Sequence, residues 1–357
     1  MRLTEPNRVR VVSPAPRSEW RSILSASDEA TAYHTPEWLD AACEAGGFED
    51  ASRLYERLDG RRLVLPMLRQ RSPIPGLSSS WSMPSYWGFG GIISDGRLDA
   101  RDVATVLPDI TGRGRDRTII KPGPLTGWAW DGVAARRRLP HLVHILELRR
   151  DFEGLWSKRF SSGTRNKIRK AEKLGVEVEW DTTARLVPVH HDLYVRWTRH
   201  RARARRVPGF MATRLAERRE SVATDAAIAR QLGDRCRVGI AWIRNEAVAS
   251  LILLWNGAHA HYWHSASDRE LAGRTYAGYL LLARALEDAA GFGCEYVHMG
   301  ESGGVRSLME FKEHFGAERR HYPELRFEHP IVALAAELRR NVTTRLDRPT
   351  RQRNAAH

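Results

Sequence analysis

Residues 158–175 read KRFSSGTRNKIRKAEKLG, seven basic side chains around a single acid, Glu172. Unpaired cations are costly to bury, so this density requires water or an anion. As a helix the stretch sets Ile168, Ala171 and Leu174 on one narrow apolar stripe and spreads cations over the rest. Like charges then crowd at Arg165/Arg169, Lys167/Lys170 and Arg169/Lys173, a cost that a solvated face tolerates and an anionic ligand relieves. We take Arg165, Lys167, Arg169 and Lys170 as candidate phosphate contacts. A second candidate is Arg269–Gly278, RELAGRTYAG, where a glycine-containing loop runs into a helix expected from Thr275. Free N–H groups at such a helix start favour phosphate, through Arg269, Gly273, Arg274 and Thr275; an ordinary surface loop and cap is the plain alternative. His259 and His261 alternate onto one strand face, with His264 three positions on. No carboxylate or cysteine stands at ligand spacing beside them, so strand-face packing is expected and no metal.

The elements that must position these residues alternate between strands and helices. In the first half, Thr35-Pro36 opens a helix that Gly46-Gly47 ends, with a cap residue and proline at its start. Arg53–Leu58 and Arg61–Arg69 flank Asp59-Gly60, a hairpin signal. A Ser/Pro/Gly-rich loop (Ser72–Ser85), a helix near Leu98–Thr111 and strands at Thr118–Lys121 and His141–Leu148 follow. The second half gives a strand at Val176–Trp180, helices at Pro188–Arg203 and Thr213–Leu232, and a meander of Arg237–Ile243, Ala247–Trp255 and Ala258–Ala266. Then come a helix at Thr275–Ala290, a strand at Glu295–Met299, a helix at Val305–Phe315 and a strand at Glu324–Phe327. Ile331–Leu346 is expected as a terminal helix before a polar basic tail. This pattern indicates an α/β or α+β fold, sheets covered by helices.

At 357 residues the chain exceeds one usual domain, so two are expected. The hydrophobic content of 42% suffices for packed cores. The richest apolar run, Ala247–Trp255, is far short of the ~20 residues of a spanning helix. The first twenty residues lack the apolar core of a signal peptide, which implies a cytoplasmic protein. Cys43, Cys236 and Cys294 are odd in number and widely spaced, which fits neither a disulfide framework nor a zinc pattern. The net charge of +14, almost all of it arginine, fits either solvated guanidinium groups or an anionic partner.

Specific residues carry a resemblance. Arg165-Asn166-Lys167-Ile168-Arg169-Lys170-Ala171 with Leu174-Gly175-Val176 resembles the R-x-x-I-R-K-A…G-V signature entering the second domain of Fem-type transferases. Phe311-Lys312 with Phe315-Gly316 resembles their F-K-x-x-F-G segment. Tyr279–Ala290 with Gly291 and Gly293 resembles their L…A…G helix. Thr35-Pro36-Glu37-Trp38 and Leu65-Pro66-Met67 resemble the degenerate first domain. The chain thus resembles tandem-GNAT, Fem-type aminoacyl or acyl transferases, with domains expected at 1–150 and 151–330 and a helix and tail at 331–357.

The resemblance implies acyl transfer from an ester or thioester to an amine, with no tightly bound cofactor. It implies Lys312 at the active site, where an ammonium stabilises an oxyanion, and Glu301 as proton acceptor or orienting group. Phe311, His264, Ser265 and Tyr276 are then candidate substrate contacts, and His264–Ser267 the acyl slot. Coenzyme A-dependent GNAT enzymes favour Q/R-x-x-G-x-G/A at the cradle; here Ala272 and Arg274 depart from it. The expected donor is therefore aminoacyl-tRNA, the acceptor an amine of a cell-wall precursor or natural-product intermediate. An acyl-CoA-dependent N-acetyltransferase and a non-catalytic RNA-binding protein of the same fold are the alternatives.

Overall fold

The protein was analysed as a computed structural model that describes residues 9–71, 78–111, 117–149, 151–204 and 221–328, with 208, 210, 213, 214 and 217. The expected terminal helix and tail, residues 72–77 of the loop at 72–85, and residues 215, 216 and 218–220 of the Thr213–Leu232 helix lie outside these residues. In chain order the elements are β1 (Val9–Val12), α1 (Arg17–Ala26), α2 (Pro36–Gly46), β2 (Glu49–Asp50), β3 (Arg53–Arg57), β4 (Arg62–Leu65), β5 (Leu68–Gln70), β6 (Ser79–Trp81), β7 (Ile93–Ser94), α3 (Ala100–Thr111), β8 (Arg117–Ile120) and β9 (Arg137–Glu147). A helical turn at 152–159 leads to α4 (Ser162–Lys173), β10 (Glu177–Asp181), α5 (Val187–Ala204), α6 (Val222–Leu232), β11 (Cys236–Ile243), β12 (Glu246–Asn256), β13 (His259–Ser267), α7 (Arg269–Thr275), α8 (Ala277–Gly291), β14 (Tyr296–Glu301), α9 (Arg306–Glu313) and β15 (Glu318–Phe327).

Local chemistry sets the element ends. Thr35 Oγ1 accepts the Trp38 N–H at 3.1 Å, Pro36 takes the first helical position, and Gly47 closes α2 with φ +65°. Between β3 and β4, Asp59 Oδ1 accepts the Arg61 N–H and Gly60 adopts φ +85°. The second arm of this hairpin stops at Leu65, earlier than its sequence suggests. Pro66 has no N–H to donate, and the chain re-enters pairing as β5 in a different sheet.

A small sheet runs β1-β3-β4-β7, and an eleven-stranded sheet runs β10-β11-β12-β13-β14-β9-β15-β8-β6-β5-β2. The two halves are not separate in this sheet. β9, from before residue 150, lies between β14 and β15, from after it. β15 in turn pairs with β9 from Glu318↔Ile145 to Arg326↔Arg137, and with β8 on its other edge. It is longer than the expected Glu324–Phe327, because the backbone ladder with β9 holds its charged first residues extended. One face of the meander is covered by α5 and α6, with Leu193 and Ile228 packed on Ile240 and Ile252. The other carries α4 and α8, with Ile168, Leu281 and Leu286 on Leu251 and Leu253.

No helix among the described residues is long and apolar enough to cross a membrane. A fragment beginning at residue 151 would leave β14 and β15 without the strand between them. It is expected to show no cooperative thermal transition by circular dichroism, while the full chain does.

Candidate active site

The β13–β14 ladder is short. It pairs His259↔Tyr296, Ala260↔Val297 and His261↔His298, and then the strands part. Each is also irregular on its other edge. The β12–β13 register passes from Ile252↔His264 to Leu253↔Tyr262, leaving Trp263 as the extra residue of a bulge. The β14–β9 register slips between His298 and Glu301. Among the described residues, the edge of β13 that faces β14 has no strand partner beyond His261, and this edge includes His264–Ser267.

Glu301 stands at the mouth of this opening, its side chain 42% exposed. His141 Nδ1 lies 2.9 Å from its Oε1, the Tyr322 hydroxyl donates to the same oxygen at 2.8 Å, and Lys121 Nζ lies 3.3 Å from it. Oε2 makes none of these contacts. His141 Nε2 in turn lies 3.5 Å from Glu324 Oε2. The cluster forms because β8, β9, β15 and the end of β14 are neighbours in one sheet. Burial alone would raise the Glu301 carboxyl, but the His141 hydrogen bond, the Lys121 charge and the Tyr322 hydroxyl hold it at about 2. Hydrogen bonds to Glu301 and Glu324 push His141 up to about 9 against burial. At neutral pH the group is an ionised carboxylate beside an imidazolium.

Lys312 is fully buried below this point, 1% exposed. Its ammonium donates to Gly300 O at 2.9 Å and Glu301 O at 3.3 Å, and burial lowers it to about 8. It therefore holds the bulged end of β14 from beneath, which fixes Glu301, and is not itself in the open mouth. Phe311 packs edge-on against Tyr279 at 4.9 Å and against Phe315, an aromatic layer between α8 and α9.

The phosphate candidates divide. Lys167 Nζ donates to the Tyr279 hydroxyl at 2.9 Å, and Lys170 lies 5.9 Å from the Tyr276 ring, so α4 rests along the first turns of α8 with Arg169 and Lys170 exposed. Arg165 turns the other way: one terminal nitrogen donates to the carbonyls of Trp156, Ser157 and Phe160, which ties down the helical turn before α4. That guanidinium group is engaged structurally, a correction to its expected phosphate role. The expected glycine loop is also corrected. Arg269–Thr275 is the helix α7, with the Asp268 carboxylate accepting the Glu270 and Leu271 N–H groups at 3.1 Å each. Thr275 Oγ1 donates within the helix to Leu271 O, Arg274 pairs with Glu270, and Arg269 and Gly273 are exposed with no close approach by Gly273. Tyr276 takes φ +57° at the α7–α8 junction. Ser265 is exposed and accepts the Tyr262 hydroxyl at 2.6 Å, whereas His264 turns to the opposite face, towards Asp225. His141, Tyr322, Lys121 and Glu324 were missed in the sequence because their signal is positional: only the strand exchange brings them to Glu301.

The geometry is that of a mixed sheet with a splayed pair of parallel strands. Residues 158–313 match the family of acetyltransferase (GNAT) domains. The whole described fold is similar to FemX, with a TM-score of 0.67 and 10% identity over 91% of this chain and 99% of that one. It is also similar to the C-terminal domain of a lysylphosphatidylglycerol synthetase from Agrobacterium fabrum (TM-score 0.51, 10% identity, covering 90% and 95%). The enzyme named L-PGS from Bacillus licheniformis gives a TM-score of 0.51 at 12% identity, covering 91% and 97%. No curated protein sequence matches the chain. Residues 158–313 thus match a GNAT-type domain, set within a fold similar to that of FemX.

A raised histidine stabilises the fold below its unfolded value of 6.5, and that contribution disappears as pH passes its folded value of about 9. The difference in Tm between wild type and His141→Gln is therefore expected to be greatest below pH 6.5 and to vanish above pH 9. A difference that stays flat across this range would exclude the charged His141–Glu301 pair.

Proposed function

We propose that the protein is an N-acyltransferase that moves an aminoacyl group from aminoacyl-tRNA to an amine of a cell-wall precursor or natural-product intermediate, forming an amide in the cytoplasm. One observation carries the choice of donor. Where a coenzyme A pyrophosphate would need free backbone N–H groups, α7 is a closed helix and the Asp268 carboxylate already accepts two of them. An anion there meets a negative charge. The alternative anion surface is the exposed face of α4, whose Arg169, Lys170 and Lys173 lie alongside α8 and suit a polyphosphate backbone.

In this reading the donor carbonyl enters between β13 and β14, where unpaired peptide groups of β13 receive the developing oxyanion. The amine attacks the carbonyl carbon, the new C–N bond forms, and the ester C–O bond to the ribose breaks. The amine proton leaves towards Glu301 Oε2 and ends on the ribose hydroxyl. His141, Tyr322 and Lys121 hold the carboxylate ionised on its other oxygen, and buried Lys312 fixes the β14 end and sets a positive charge behind it. An acyl-CoA donor is the second reading, favoured by the start of α8, where Tyr276 provides no side-chain cap.

Amide formation from charged tRNA is expected to fall steeply with salt, and Lys170→Glu to lower kcat/KM about tenfold, a loss of ~1.4 kcal/mol. Micromolar binding of coenzyme A by calorimetry, with turnover unaffected by ribonuclease, would replace the tRNA reading. Glu301→Gln is expected to reduce kcat by about 10²–10⁴ with either donor. Lys312→Ala is expected to be similarly impaired, and wild-type turnover in both variants would remove this cluster from the mechanism.

A further inference from the structure

On the face of the meander opposite α4 and α8, two buried side chains and one partly buried one converge from three elements: His190 of α5, Asp225 of α6 and His264 of β13. Each presents one ligand atom, and these atoms lie within 4.8 Å of one another. His190 Nε2 is 4.0 Å from Asp225 Oδ2, and His264 Nδ1 is 3.8 Å from Asp225 Oδ1. The His190 and Asp225 side chains are each 1% exposed, and among the described residues neither carboxylate oxygen, nor His190 Nε2, has a hydrogen-bond partner. A buried carboxylate without a donor is strongly unfavourable unless a cation lies beside it. The separations are too long for direct hydrogen bonds. They are close to those of ligands that share one ion at about 2.0–2.2 Å each.

The surroundings orient the ligands. Ser250 Oγ of β12 lies 2.9 Å from His190 Nδ1, which fixes the ring with Nε2 towards Asp225.

We propose that His190, Asp225 and His264 bind a first-row divalent metal ion of the zinc class. Two imidazole nitrogens and one carboxylate select such an ion over calcium or magnesium, which prefer oxygen alone. The role is structural. The ion joins both covering helices to β13 one residue beyond the Trp263 bulge, so it holds the register of the strand edge that forms the acyl slot, from the face away from α4.

The test uses the full chain without a polyhistidine tag. After growth with added zinc and dialysis, elemental analysis is expected to find about one equivalent of metal, which chelation removes with a fall in Tm. Cobalt(II) added to the stripped protein is expected to give visible d–d absorption. Asp225→Asn and His264→Gln are expected to lose both signals while keeping the far-UV spectrum. If those variants do not fold, Ser250→Ala keeps all three ligands and should weaken metal affinity by about 10–100-fold. A wild type that holds no metal, and shows no Tm shift or absorption with zinc, cobalt, nickel, manganese or iron(II), overturns the proposal. So does metal retained in full by the folded Asp225→Asn and His264→Gln variants, or unchanged affinity in Ser250→Ala.

Discussion

The backbone pairing of β9 with β14 on one edge and β15 on the other is the constraint on which the site depends. It brings His141 from the first half within hydrogen-bond distance of Glu301 from the second, and it sets Tyr322 and Glu324 around them. No side-chain contact could bring groups so distant in sequence together with comparable economy. The ladder does so because a strand buried between two neighbours has its donors and acceptors committed along its length.

The same sheet separates two kinds of demand. On the α4 and α8 face, Arg169, Lys170 and Lys173 are exposed, and the apolar stripe of Ile168 and Ala171 is what anchors them. At the mouth, mutual pairing keeps Glu301 ionised and His141 charged against the cost of burial, so the state of the carboxylate does not vary near neutrality. Lys312 shows how a resemblance and a structure inform each other. The motif implied an active-site lysine, and the side chain does lie beneath the end of β14, but its donors go to backbone carbonyls. Its ammonium acts on the shape of that strand end and through its field.

Much of the scaffold was legible in the sequence, and the reasons are local. Thr35, Pro36 and Gly47 write both ends of α2; Asp59-Gly60 writes its hairpin; the periodicity of Ile168 and Ala171 writes α4. The misreading at Arg269–Gly278 came from giving Gly273 more weight than Asp268. One glycine costs a helix only about 1 kcal/mol, less than a capping carboxylate and an i,i+4 pair can offset. What could not be read were the convergences across elements, Glu301 with His141 and Asp225 with His190 and His264. Their spacing is fixed by strand order and helix placement, and no local pattern encodes either.

The position of β15 has a consequence for the order in which the protein is made. The ribosome delivers β9 early, yet one of its two neighbours is β15, the last described strand. Until residue 327 has emerged, Tyr322 and Glu324 cannot take their places, and the carboxylate at the mouth lacks half of its surroundings. A chain that stops short of β15 thus contains the basic helix and the meander but not the assembled carboxylate cluster, which waits for that strand.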